Sequence, residues 1–170
     1  FPDSQLGNGA RMLEMVRNGD LDLFLGGPGI FSSMDKRLNV FDIPYLFHSS
    51  STARRTLAGP AGRQILDAFD AMGLKALSFW ETGMRDITNN LQPIVKVEDL
   101  QGMRMRIPVN NPAQSELWAL LGTRPVPLPF GAILDRLKAG EVDAQEHPIG
   151  TIYSGALHTA QKFLTLTGHM

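Results

Sequence analysis

The chain has 170 residues, 43% of them hydrophobic and 19% charged, with a formal net charge of −1 and no cysteine. That balance describes an ordinary globular protein of one sizeable domain or two small lobes. It gives no electrostatic reason to expect nucleic acid, and the missing thiols exclude disulfides, thiolate metal sites and cysteine nucleophiles. No apolar run approaches the roughly 20 residues that a membrane-crossing helix needs, so direct membrane insertion is not expected.

Taken in order, Asn8 is placed to cap a helix over residues 10–17, with Met12, Leu13, Met15 and Val16 as its apolar stripe and Gly19 as its stop. Residues 21–25 read as a short strand, followed by Gly26-Gly27-Pro28-Gly29. A glycine-rich turn after a strand invites a phosphate-loop reading. It lacks the third glycine of a dinucleotide fingerprint and any Gly-Lys-Ser/Thr, so a plain turn is favoured. Residues 40–47 read as a buried or edge strand broken by Pro44. Helices are expected over 51–57 and 62–72, a strand over 74–79, and an extended segment at 84–88 after Gly83.

A short turn at 97–100 precedes Gly102-Met103-Arg104-Met105-Arg106-Ile107-Pro108, where apolar and basic residues alternate with the period of a strand. Met103, Met105 and Ile107 share one face, Arg104 and Arg106 the other. An arginine at a strand end can present two parallel N–H groups to a carboxylate, a geometry lysine does not copy. The plainer alternative is a half-exposed strand with two solvated arginines. Beyond it, Asn111-Pro112 starts a helix carrying Leu117, Trp118, Leu120 and Leu121. Pro125, Pro127 and Pro129 stiffen an extended arm that delivers Phe130. A helix over 132–138, a strand over 142–148 with the polar end Gln145-Glu146-His147, a helix near 152–159 and a strand over 163–167 complete an α/β alternation.

His48, His147, His158 and His169 show no His-x-x-x-His pair, and no metal or other cofactor is expected. Glu146 and His147 could serve as an acid/base group, but neighbours on a strand point to opposite faces. No Gly-x-Ser-x-Gly elbow accompanies them, so catalysis is the minority reading. Arg85 and Arg106 on extended segments, with Phe130 and the polar strand end, resemble parts of a site for a small anion.

Seven segments in order then resemble the solute-binding proteins of tripartite ATP-independent periplasmic (TRAP) transporters, the DctP-like family. They are Phe1-Pro2-Asp3-Ser4-Gln5-Leu6-Gly7, Pro44-Tyr45-Leu46-Phe47, Trp80-x-x-Gly83-x-Arg85, and Asp99-Leu100-x-Gly102 through Pro108. Gly122-x-x-Pro125-x-Pro127-x-Pro129-Phe130, Val142-Asp143-Ala144-Gln145-Glu146 and Gln161-Lys162-Phe163-Leu164-x-Leu166-Thr167-x-His169 follow. The resemblance implies a two-lobed α/β fold of the periplasmic-binding-protein type (type II-like), here incomplete at both ends. Residues 1–82 would belong to lobe one, lacking its first strand and helix, and 83–170 to lobe two, lacking its C-terminal return. It implies a monomeric periplasmic protein, not an enzyme, that closes over a small organic acid and delivers it to TRAP membrane permease subunits. Arg106 would grip the carboxylate bidentately, Arg85 would lie beside the same group, and Phe130 would pack on the ligand. Gln145, His147 and Trp80 complete the expected ligand-binding set. A ligand-sensing domain of the same fold is the alternative.

Two departures stand out. Many family members read Gln-Glu-Asn-Pro where this chain has Gln145-Glu146-His147-Pro148, so an imidazole replaces an asparagine that often contacts the ligand. The usual Phe-Ser-Glu-Val-Tyr is Phe130-Gly131-Ala132-Ile133-Leu134 here.

Overall fold

A computed structural model of the chain describes residues 5–170, so the first four residues of the Phe1–Gly7 segment lie outside it. The first helix, α1 (Gly9–Asn18), is capped as its sequence demands. The Asn8 side chain accepts from the Arg11 N–H at 3.0 Å, and Gly19 takes the left-handed conformation that releases the chain. Two further helices, α2 (Ser50–Ala58) and α3 (Pro60–Asp67), follow; Ser49 caps the first and Pro60 opens the second.

Between and after these helices, the strands expected at 21–25, 40–47 and 74–79 do not form. Residues 21–25 and 74–79 run without regular structure, and Lys36–Asp42 winds into a 3-10 helix ahead of the turn at Pro44. Alternating side chains make a segment suited to a strand, but a strand exists only where a neighbour completes its ladder. None of these three segments has such a neighbour among the described residues. Several of their apolar side chains are left outside, with Leu23, Leu25 and Leu77 exposed.

From residue 85 onward the ladder is complete. Five strands, β1 (Arg85–Asn89), β2 (Arg104–Ile107), β3 (Arg124–Pro127), β4 (Ala144–Pro148) and β5 (Phe163–Thr165), form one mixed sheet in the order β3-β2-β4-β1-β5. β2 runs parallel to β3 and β4, while β1 runs antiparallel to β4 and β5. Helix α4 (Pro112–Leu120) covers one face, where Trp118 packs with Ile87, Met103, Met105, Ile107 and Ala144. Register puts Arg106 beside Val126, and Val126 packs against a second cluster of Ile133, Leu137, Ile152 and Leu157. That cluster, from α5 (Ile133–Lys138), α6 (Ile149–Ser154) and the 3-10 turn Leu157–Ala160, therefore covers the arginine-bearing face. The single helix expected near 152–159 is split because Ala156 sits at φ 53°. No helix is long and apolar enough to cross a membrane among the described residues.

Candidate functional site

The parallel strands β2 and β4 end at one edge of the sheet, and β1 begins there, because Arg85 is opposite Pro148 in the register. Crevices at the carboxyl ends of strands are the usual ligand sites of α/β sheets. Here the crevice is a cleft of about 1170 Å³. The first half of the chain walls it with residues 25–30, the 3-10 helix end at Asp42 and parts of α2. The second half contributes Arg85, Arg106, Phe130 and His147.

Arg106 is the deepest cation, only 4% exposed. The strand alternation puts its side chain on the face opposite Met105, and neither arginine of β2 is simply solvated. Arg104 is held by the Asp143 carboxylate, whereas Arg106 has no carboxylate within salt-bridge distance among the described residues. Its Nε and Nη2 donate to the Leu128 carbonyl at 3.1 and 2.7 Å, which anchors one edge of the guanidinium. The Nη1–Nη2 end is left toward the cleft, with Nη1 3.5 Å from His147 Nε2. Burial pulls the Arg106 pKa down to about 10, with Glu146 opposing and Arg85 adding to the fall, so it remains cationic at neutral pH.

Arg85 lines the same cleft and carries an internal partner. Its Nε and Nη2 donate to the Glu146 carboxylate, the Nη2–Oε1 bond being 2.7 Å, and Nη2 also reaches the Glu146 carbonyl at 2.8 Å. Its Nε–Nη2 edge is thus occupied by an internal carboxylate, while the side chain keeps 24% of its exposure. Burial would raise the Glu146 pKa, but the charge and hydrogen bonds of Arg85, with His169, hold it well below the usual carboxylate range. His169 was not foreseen in this role. It reaches Glu146 at 3.4 Å and packs edge-on against Trp118 at 5.7 Å. Trp118 itself is core.

His147 lies on the other face from Glu146, as strand alternation requires, so the two do not address a common atom. Burial, then the charges of Arg85 and Arg106, lower its pKa to about 3, against the pull of Glu146. The imidazole is neutral. The Phe130 ring meets it edge-on at 5.4 Å and is itself half exposed to the cleft. Gln145, expected to touch a ligand, is fully buried and does not line the cleft. It accepts from His147 Nδ1 instead, and behind it stand Thr88 and Gln161. Thr88 and Gln161 are positioning residues that the sequence reading missed. The local pattern Arg85-Asp86-Ile87-Thr88-Asn89 has one apolar residue and does not mark Thr88, whose partner Gln145 lies across the sheet on β4. Trp80, 77% exposed, stands at the outer rim. Gly26–Gly29 turns into the 3-10 helix Pro28–Phe31 and is part of the cleft wall. No three His, Asp or Glu side chains converge as a metal site would require among the described residues.

The family model for bacterial extracellular solute-binding proteins, family 7 (DctP), matches residues 1–170. The chain belongs to the DctP family. The 2,3-diketo-L-gulonate-binding periplasmic protein YiaO of Escherichia coli is 37% identical over 169 residues, covering 99% of this chain and 51% of YiaO. The sugar acid binding protein DctPAm of Advenella mimigardefordensis, solved with galactonate, superposes with a TM-score of 0.94 at 31% identity, over 98% of this chain and 54% of that one. A TRAP periplasmic solute-binding protein from Polaromonas, bound to D-erythronate, gives 0.94 at 34% identity, over 100% and 56%. The chain spans about half the length of the DctP proteins it matches, and their fold is the two-lobed α/β architecture expected from the sequence.

Proposed function

We propose that this DctP chain is part of an extracytoplasmic solute-binding protein that captures a small organic acid and delivers it to a TRAP permease. The observation that carries the reading is Arg106: a buried guanidinium, anchored on one edge by a carbonyl, with its other end on a cleft and, among the described residues, no carboxylate within salt-bridge distance. A buried charge without a counter-charge is costly, and a ligand carboxylate on the Nη1–Nη2 end relieves that cost. Phe130 offers an apolar surface beside it, and Arg85 adds positive potential without a free fork. The relatives named above bind galactonate, D-erythronate or 2,3-diketo-L-gulonate, each a small carboxylic acid.

In this reading residues 1–82 and 83–170 belong to different lobes, and closure over the acid turns on the backbone near Gly83, whose φ of 102° favours glycine. The protein works as a periplasmic monomer and carries out no catalysis.

Calorimetry of the full-length protein against aldonates, 2-oxo acids, C4-dicarboxylates and aromatic acids tests the proposal. One acid should bind one-to-one, and its uncharged lactone or methyl ester should bind at least about 100-fold more weakly, since leaving one partner of a buried charge pair without the other costs roughly 2–5 kcal/mol. Equal binding of an acid and its neutral ester would remove the role given to Arg106.

A further inference from the structure

The hydrogen bonds behind His147 run in one direction only. The Gln161 amide N–H₂ lies against two carbonyls, of Ala160 at 3.2 Å and Asp143 at 3.4 Å, so its Oε1 faces Thr88. An amide oxygen only accepts, so the single Thr88 hydroxyl proton goes to it, at 2.9 Å. Thr88 Oγ1 is then an acceptor and takes its hydrogen bond from Gln145 Nε2 at 2.6 Å. That turns the Gln145 carbonyl toward His147 Nδ1, which must carry the ring proton. The opposite end agrees independently. Arg106 can only donate, so the nitrogen facing its Nη1 at 3.5 Å, His147 Nε2, is bare. A doubly protonated ring would set an N–H against an N–H and a cation against a cation. The edge of Phe130 holds the ring plane in place.

The cleft therefore presents, side by side, a cationic donor and an acceptor whose single lone pair meets Arg106 only at 3.5 Å, so a ligand carboxylate that takes Nη1 leaves it free for a hydroxyl. A carboxylate oxygen satisfies the first and is repelled by the second. Resting on the organic-acid reading above, we infer that His147 is the specificity-determining residue of this cleft and selects a 2-hydroxy acid. Its Nε2 accepts the proton of a hydroxyl on the carbon next to the carboxylate that Arg106 holds. A 2-oxo acid brings an acceptor to an acceptor there, and a plain dicarboxylate such as succinate brings no donor. An asparagine at this position could offer either N–H or C=O and would not make the distinction. Gln145, Thr88 and Gln161 are the positioning residues that keep Nε2 bare.

The probes are matched acids: galactonate and erythronate, their 2-deoxy and 2-oxo counterparts, and succinate, titrated into the full-length protein by calorimetry at pH 7. The 2-hydroxy acids should bind roughly 10- to 100-fold more tightly than their 2-oxo or 2-deoxy partners, the usual cost of an unpaired buried polar group. His147→Asn should bring the hydroxy-to-oxo ratio to within about threefold of unity while an acid still binds. Imidazole ¹⁵N shifts of the wild-type protein give a readout that needs no mutant: His147 should show a protonated Nδ1 and a bare Nε2. A protonated Nε2, or acids bound with no regard to the 2-hydroxyl, would overturn the inference and leave the organic-acid reading standing. Failure of every carboxylate to bind would overturn both.

Discussion

The two halves of the chain treat the same kind of sequence differently. Among the described residues, the part before Arg85 buries two hydrophobic side chains, Leu13 and Leu38, while the part from Arg85 onward buries twelve. Both halves contain alternating, β-prone segments. In the second, each strand has a neighbour, one face of the sheet lies under α4, and the other carries Arg106, His147 and their supports beside α5 and α6. In the first, residues 21–25 and 74–79 have no ladder, and side chains such as Leu77 stand 70% exposed. The lesson is that a strand pattern is a capacity and a sheet is a partnership. Where the partnership is complete, the structure can hold a buried charge at a chosen place. Where it is not, the chain supplies a wall for the cleft but, among the described residues, no buried charged side chain.

Substitutions can break that contrast. The largest effect is expected at Glu146→Gln, which leaves the Arg85 guanidinium without its counter-charge and should cost about 3–5 kcal/mol in urea unfolding. Ile133→Ala, in the cluster beneath the arginine face, should cost about 2–5 kcal/mol by the loss of contacts and the cavity left behind. An acid-induced loss should follow from the lowered pKa values of His147, Glu146 and Asp143. Each of these groups binds protons more weakly folded than unfolded, so their stabilisation is present at high pH and lost as the pH falls. For His147 the window opens near its ordinary value of 6.5 and closes near 3. Urea midpoints should therefore decline below about pH 6.5, and His147→Asn should flatten the part of that decline above the carboxylate range. The smallest effect belongs to the first half: Leu77→Ser should change the unfolding free energy by less than about 0.5 kcal/mol. A loss of several kcal/mol there would show that this segment is packed and erase the contrast.

Much of the second half was legible from the sequence, and for identifiable reasons. Alternation gave β2 its faces, Asn111-Pro112 announced α4, and Gly19 and Asn8 bounded α1, all of them local signals. The chain's likeness to DctP proteins singled out Arg106, which its spacing alone could not distinguish from Arg104. What separates them is a partner 39 residues away for Arg104, the Asp143 carboxylate, and only a carbonyl and an imidazole for Arg106. Pairing of that kind is decided by register across the sheet and has no trace in the local pattern. The same holds for Arg85 and Glu146, separated by 61 residues. The burial of Gln145 follows from its inward place on β4, while its partner Thr88 could be found only once β1 was known to lie beside β4.

The most direct test of the central claim sets those two arginines against each other. Arg104 and Arg106 share a strand, a face and a charge, and differ in that one is paired and the other is open to the cleft. Galactonate titrated calorimetrically into Arg104→Lys and Arg106→Lys should bind the first within about threefold of the wild-type affinity and the second at least about 100-fold more weakly, because lysine cannot reproduce an anchored two-point contact. Equal losses in both variants, or a loss confined to Arg104→Lys, would contradict the account.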